Sequence, residues 1–146
     1  MENASILKQF TDSHLTGDWD TFEALCTEDF KLEGPAEEPM DKASFLTWLK
    51  SVYEANDNIN NNVVVIESSE NTLLCTVQME GTHTRDWDLS FMELGVIPAT
   101  NKAWRNPQET MAVTIRDGKI AELKVTVPDD GGIKGILSQL ASSNAD

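Results

Sequence analysis

The stretch Leu73-Leu74-Cys75-Thr76-Val77-Gln78-Met79-Glu80-Gly81-Thr82-His83-Thr84 decides the fold class. Leu73, Cys75, Val77, Met79, Gly81 and His83 alternate with Thr76, Gln78, Glu80, Thr82 and Thr84. Side chains on a strand point alternately to its two faces, so this period of two reads as one long half-buried strand. Its apolar face sets a concave inner side, and His83 lies on that side by parity.

Working outward toward the C-terminus, Asp117-Gly118 marks a hairpin that admits two registers. A two-residue turn would pair Arg116 with Lys119 and set Met111 against Lys124. A three-residue loop, Arg116-Asp117-Gly118, pairs Ile115 with Lys119, Val113 with Ala121 and Met111 with Leu123. A one-residue slip moves every side chain to the other face, so the cleaner sorting selects the three-residue loop. Glu109 then faces inward opposite Val125. Thr110, Ala112, Thr114, Ile120, Glu122 and Lys124 take the outer face.

Working toward the N-terminus, the period changes to that of a helix. Ile6, Leu7, Phe10 and His14 share one side of a first helix. Gly17 stops it, and Asp18 caps a second helix carrying Trp19, Phe22, Leu25 and Cys26. Phe30 and Leu32 share a face of a short extended piece before Gly34-Pro35. Asp41 caps a third helix with Phe45, Leu46, Trp48, Leu49, Val52 and Tyr53 on one stripe. The run Asn56 to Asn62 reads as a loop. Val63 to Ile66 reads as a strand, Arg85 to Asn101 as an irregular mobile rim, and Ile133 to Leu140 as a short last helix before a polar tail. Helices followed by an antiparallel meander predict an α+β fold: a strongly curved, mainly antiparallel sheet with three N-terminal helices on its concave face, enclosing a pocket.

The chain has 146 residues, enough for a single domain spanning 1–146 with its core at about 6–140. Eleven Lys and Arg against 25 Asp and Glu give a net charge of −14, which argues against nucleic acid or an anionic membrane as partner. No apolar run reaches membrane-spanning length and no signal-like segment opens the chain, so a cytoplasmic location is expected. Cys26 and Cys75 fit neither a disulfide framework nor a zinc site. No His, Asp or Glu spacing suggests a metal, and no glycine-rich loop suggests a phosphate cofactor, so none is expected.

Two residues are the candidate acid–base pair. His83 titrates near neutral pH. An inward Glu109 is costly unless paired or protonated, with Arg105 and Arg85 as prospective partners. Trp48, Met79, Arg85, Trp104, Met111 and Val125 are the expected ligand-binding residues. Asp86 and Asp88, beside Arg85, read as a solvated loop, and His14 as a packed or rim histidine.

Four segments then occur in order: Gly81-Thr82-His83-Thr84, Val96-Ile97-Pro98-Ala99-Thr100-Asn101-Lys102, Arg116-Asp117-Gly118-Lys119-Ile120 and Gly135-Ile136-Leu137-Ser138-Gln139-Leu140. The series resembles the SnoaL-like polyketide cyclase family of the nuclear-transport-factor-2-like superfamily, from about Ile6 to Leu140. The resemblance implies a cone-shaped α+β barrel, a homodimer formed through the sheet, and an apolar pocket for a small, mainly hydrophobic molecule. Members with cyclase activity carry an acid–base Asp on the last long strand, in a segment resembling His-Trp-Asp. The corresponding residues here are Leu123, Lys124 and Val125. The expected activity is therefore cofactor-free acid–base chemistry by His83 and Glu109, with a non-catalytic ligand-binding or dimerising module as the alternative.

Overall fold

A computed structural model describes residues 3–141. Helix α1 (Asn3–Thr16) buries Ile6, Leu7, Phe10 and His14 on the stripe its periodicity predicts. Gly17 ends it with φ +72°. Helix α2 (Trp19–Leu25) is capped by Asp18, whose carboxylate accepts the Thr21 N–H at 3.2 Å. Cys26 is not in that helix; it opens strand β1 (Cys26–Glu33). After β2 (Met40–Asp41), helix α3 (Lys42–Ala55) starts where Asp41 accepts the Ser44 N–H at 2.8 Å. It buries Phe45, Trp48, Leu49 and Val52.

Nine strands and a helix follow: β3 (Asn56–Asn60), β4 (Val64–Ser68), β5 (Thr72–Val77), β6 (Glu80–His83), β7 (Trp87–Asp88), β8 (Val96–Ile97), β9 (Ala103–Arg105), β10 (Glu109–Arg116), β11 (Lys119–Thr126) and α4 (Gly132–Ala141). The fold is α+β with a curved sheet. Six strands form the main sheet in the order β2-β1-β11-β10-β5-β4. All its pairs are antiparallel except β1 with β11. A smaller sheet runs β3-β6-β9, and β7 pairs β8. The helices close over the main sheet through stacked rings: Phe10 on Phe22 at 5.2 Å and Phe30 on Phe45 at 5.5 Å. The polar tail lies outside the described residues.

Four expectations are corrected. Residues 73–84 are not one strand. The chain leaves the main sheet after Val77, where the Asn106 N–H donates to the Met79 carbonyl and the Gln78 N–H to Asn61, and β6 joins the smaller sheet. The alternation persists through the break, but the layer it faces changes.

Most of the Asn-rich run is not a loop: Asn56–Asn60 is strand β3, and only Asn61 and Asn62 of the run connect it onward. Asn56 is 3% exposed because both ends of its amide are satisfied: Nδ2 donates to the Val52 carbonyl and Oδ1 accepts the Trp104 indole N–H, each at 2.9 Å. Asn58 takes the kink in this strand at φ +57°, a left-handed conformation that Asn tolerates better than most residues.

The hairpin has a two-residue turn, with Asp117 at φ +54° and Gly118 at φ +74°, and Arg116 opposite Lys119. The register shifts between Thr114 and Ile115, with Ala121 as the extra residue, and sets Val113 against Leu123 and Met111 against Val125, where the three-residue loop had Ala121 and Leu123. Ile120, placed outside by the three-residue register, is fully buried.

Residues 85–101 are not a rim over the pocket. Trp87 and Leu89 are fully buried, and the Trp87 indole donates to Ser51 Oγ at 3.1 Å. Phe91, Leu94 and Val96 at the tip are its exposed large apolar side chains, and no residue of the segment lines the pocket.

Candidate functional site

A cavity of about 120 Å³ lies between α1, α3, α4 and the inner face of the main sheet. Phe10, Phe45 and Trp48 wall it from the helices, and Leu123, Met111 and Val125 from the sheet. Its two titratable lining residues are His14 and Glu109.

Glu109 is the first residue of β10, with its inner neighbour Met111 two positions along. Its Oε2 accepts the Gly132 N–H at 2.8 Å, so the carboxylate meets the first turn of α4. A helix N-terminus offers unpaired N–H groups and partial positive charge to such an anion. Burial nevertheless pushes the Glu109 carboxyl above the usual carboxylate range, with the Gly132 bond acting in the opposite direction. Gly131 leaves the room: a Cβ there would lie 2.5 Å from Glu109 Oε2.

Asn106 holds this geometry from behind. Its Nδ2 donates to the Gly132 carbonyl at 3.0 Å, its Oδ1 accepts from Gln139 Nε2 at 3.1 Å, and its own N–H donates to Met79. These three bonds tie α4 to the point where the chain leaves the main sheet. Sequence reasoning missed Asn106. A buried Asn satisfied by two remote segments, α4 and Met79, leaves no periodic signal.

Val125 stands opposite Met111 and lines the cavity. Gly34 fits behind it with φ +119°, and a Cβ there would overlap the Val125 carbonyl. Glu109 therefore lies on the neighbouring strand one diagonal step from Val125, not opposite it as the three-residue loop had it.

The expected residues separate into two groups. Trp48, Met79, Glu109, Met111 and Val125 line the cavity; His83, Arg85 and Trp104 do not. His83 is fully buried beside Trp87, ring centroids 5.8 Å apart. The Thr100 N–H donates to its Nδ1 at 3.3 Å and Thr100 Oγ1 is 2.9 Å from the same nitrogen, while Nε2 is buried without a hydrogen-bond partner. Burial lowers its pKa. No His83–Glu109 pair forms, because His83 follows β6 into the smaller sheet.

Arg85 caps α3. Nε donates to the Glu54 carbonyl at 2.6 Å and Nη2 to the Asn56 carbonyl at 3.2 Å, while Nη1 pairs with Asp57 at 2.9 Å. Asp86 and Asp88 accept backbone N–H groups of Ala99 and Ser90. Trp104 is spent on Asn56. Arg105 pairs with Glu80 at 3.7 Å and contacts Gln78, not Glu109.

His14 is the residue whose place the sequence reading undervalued. It is 4% exposed, on the α1 stripe, and that stripe forms a cavity wall. Its ring meets Phe10 edge-on at 4.6 Å and Phe45 at 6.2 Å. Burial brings its pKa down to about 3, so it is neutral at physiological pH.

The sequence profile of the SnoaL-like domain matches residues 7–123. This chain belongs to the SnoaL-like family. Solved structures agree with that fold. TsrD from Streptomyces laurentii has a TM-score of 0.71 at 14% identity, covering 98% of this chain and 99% of its own. IdmH from Streptomyces antibioticus, described as a candidate polyketide cyclase, has a TM-score of 0.67 at 19% identity, covering 95% and 98%. A nuclear-transport-factor-2-like protein from Burkholderia xenovorans has a TM-score of 0.66 at 17% identity, covering 96% and 95%. Identities this low carry the fold alone. No curated protein matches the chain by sequence. Among the described residues, no group of three His, Cys, Asp or Glu side chains gathers as a metal site, and no helix is long and apolar enough to cross a membrane. Cys26 and Cys75 are buried free thiols, and burial pushes Cys26 up to about 12.

Proposed function

We propose that this SnoaL-like protein binds a small, mainly hydrophobic molecule in the cavity, and that Glu109 moves a proton to or from it without a cofactor. The supporting observation is a carboxyl group on a largely apolar wall, held at 2.8 Å by the Gly132 N–H. A carboxyl raised by burial exchanges protons closer to neutral pH, where a general base is most useful. The matching reaction class is proton abstraction next to a carbonyl, with the carboxylic acid returning the proton elsewhere on the same molecule. His83 takes no part in this step and instead anchors Thr100 to β6.

The second function, binding without turnover, is favoured by Val125, which has no proton to exchange where the resembling cyclases carry Asp. In both cases the protein is taken to be a cytoplasmic homodimer. Its outer sheet face, with Thr110, Ala112, Thr114 and Lys124, would meet a second copy.

Cyclohexanone in heavy water separates the two functions. Proton NMR follows loss of its α-hydrogens with wild type and with Glu109→Gln. Proton transfer predicts exchange above the buffer rate, reduced about 100-fold or more in the variant. Bound cyclohexanone with no exchange above buffer would leave a binding module.

A further inference from the structure

We propose that His14 is a second polar contact of the cavity, where a neutral imidazole hydrogen-bonds an uncharged hydroxyl or carbonyl on a small flat ring. The ligand class that follows is a neutral phenol-like or ketonic ring, and not a carboxylate or phosphate ester. This rests on the cavity being the ligand site.

Three observations meet at this residue. His14 lines the cavity, while both of its ring nitrogens are buried and have no hydrogen-bond partner in the protein. Buried polar atoms are nearly always paired, and an orphaned one needs an explanation. The other buried histidine, His83, holds one nitrogen against Thr100 and leaves only Nε2 without a partner, whereas His14 leaves both.

The surroundings define the ligand's shape. Of the rings packed against the imidazole, Phe10 and Phe45 also wall the cavity, with centroids 4.6 and 6.2 Å from it, and Trp48 lines the cavity beside them. Aromatic walls of this kind favour a flat ring, offset or edge-on. An apolar cavity of about 150 Å³ is known to hold benzene, so about 120 Å³ suits a single ring.

Charge defines its polarity. A neutral imidazole offers one N–H donor and one lone pair, the complement of a hydroxyl or a carbonyl. The other titratable residue on the cavity wall is Glu109, whose carboxyl repels an anion when ionised. No lysine or arginine is among the lining residues to receive one.

The test compares phenol, toluene and benzoate by ligand-observed NMR titration of the full chain and of His14→Phe. Expected is phenol binding about tenfold more tightly than toluene, with benzoate weakest. In His14→Phe, phenol should fall to the level of toluene while toluene is unchanged, the size of one lost hydrogen bond. A nitrogen-15 spectrum of the wild-type imidazole gives the same answer without a variant: the His14 ring nitrogens should shift with phenol and not with toluene. Equal binding of phenol and toluene, unmoved His14 nitrogens, or preference for benzoate would overturn the inference while leaving the cavity as a ligand site. If none of the three binds, the cavity itself is not such a site, and the inference falls with it.

Discussion

Gly131→Ala should have opposite effects on stability depending on whether Glu109 is present. The new Cβ would lie 2.5 Å from Glu109 Oε2 and 3.1 Å from both Pro128 Cδ and Val127 Cγ1. The carboxylate must leave its 2.8 Å bond to the Gly132 N–H. A hydrogen bond to a charged group contributes roughly 1.5–3 kcal/mol. Glu109 is only partly buried and water replaces part of that bond, so a loss of about 1–1.5 kcal/mol is expected. Gly131 is not among the residues with positive φ, so alanine fits its backbone, and the unfolded chain loses freedom worth about 0.4–1 kcal/mol in favour of folding. The net effect in wild type is a destabilisation of up to about 1 kcal/mol. In Glu109→Ala the 2.5 Å contact is gone, and Val127 and Pro128 relieve the two at 3.1 Å by small shifts, so the same substitution becomes neutral or stabilising by roughly a few tenths of a kcal/mol. Urea unfolding of the four proteins closes the cycle, with a coupling of about 1–1.5 kcal/mol. Equal costs of Gly131→Ala in both backgrounds would refute the placement of the carboxylate.

Glu109 has a folded pKa above its ordinary value of 4.5, so the folded state holds its proton more tightly. Its contribution to stability should therefore grow as pH falls through the raised value toward 4.5, and Glu109→Gln should abolish that part of the urea-midpoint profile. His14 acts in the opposite sense: its folded pKa of about 3 lies below 6.5, so stability is lost as pH falls from 6.5 toward 3, and His14→Phe should flatten that loss. Arg85→Ala should lower the urea midpoint by removing the bonds to the Glu54 and Asn56 carbonyls, and should leave phenol binding unchanged. Light scattering at high micromolar concentration should give twice the 16.2 kDa chain mass; the chain mass alone would refute the dimer.

The helices were legible because each carries a local signal. The Phe10–His14 stripe, Asp18 and Asp41 need no distant partner to be recognised. The strands were legible as strands, but not their partners. Alternation from Leu73 to His83 is the same whether the chain stays in one sheet or passes to another at Gln78-Met79. That passage depends on Asn61 and Asn106, far away in sequence. The extra residue at Ala121 is hidden for a related reason: the turn and the bulge each shift the register by one in the same direction, and their sum moves Met111 from Leu123 to Val125 without changing the face it points to. Glu109 could be placed inward because parity survives both choices. His14 could not be assigned to the cavity, since an apolar stripe does not reveal whether it faces a filled core or an open space. Asn56 reads as loop until the Trp104 indole is known to lie against it.

The methionines report most directly on whether the cavity takes a ligand. Met79 and Met111 line it, while Met40 and Met92 do not. In protein carrying carbon-13 on its methionine methyl groups, added cyclohexanone should shift the Met79 and Met111 signals together, along one saturating curve. Met40 and Met92 should stay in place. Shifts confined to Met40 or Met92, or none at saturating cyclohexanone, would contradict a ligand site between the helices and the sheet.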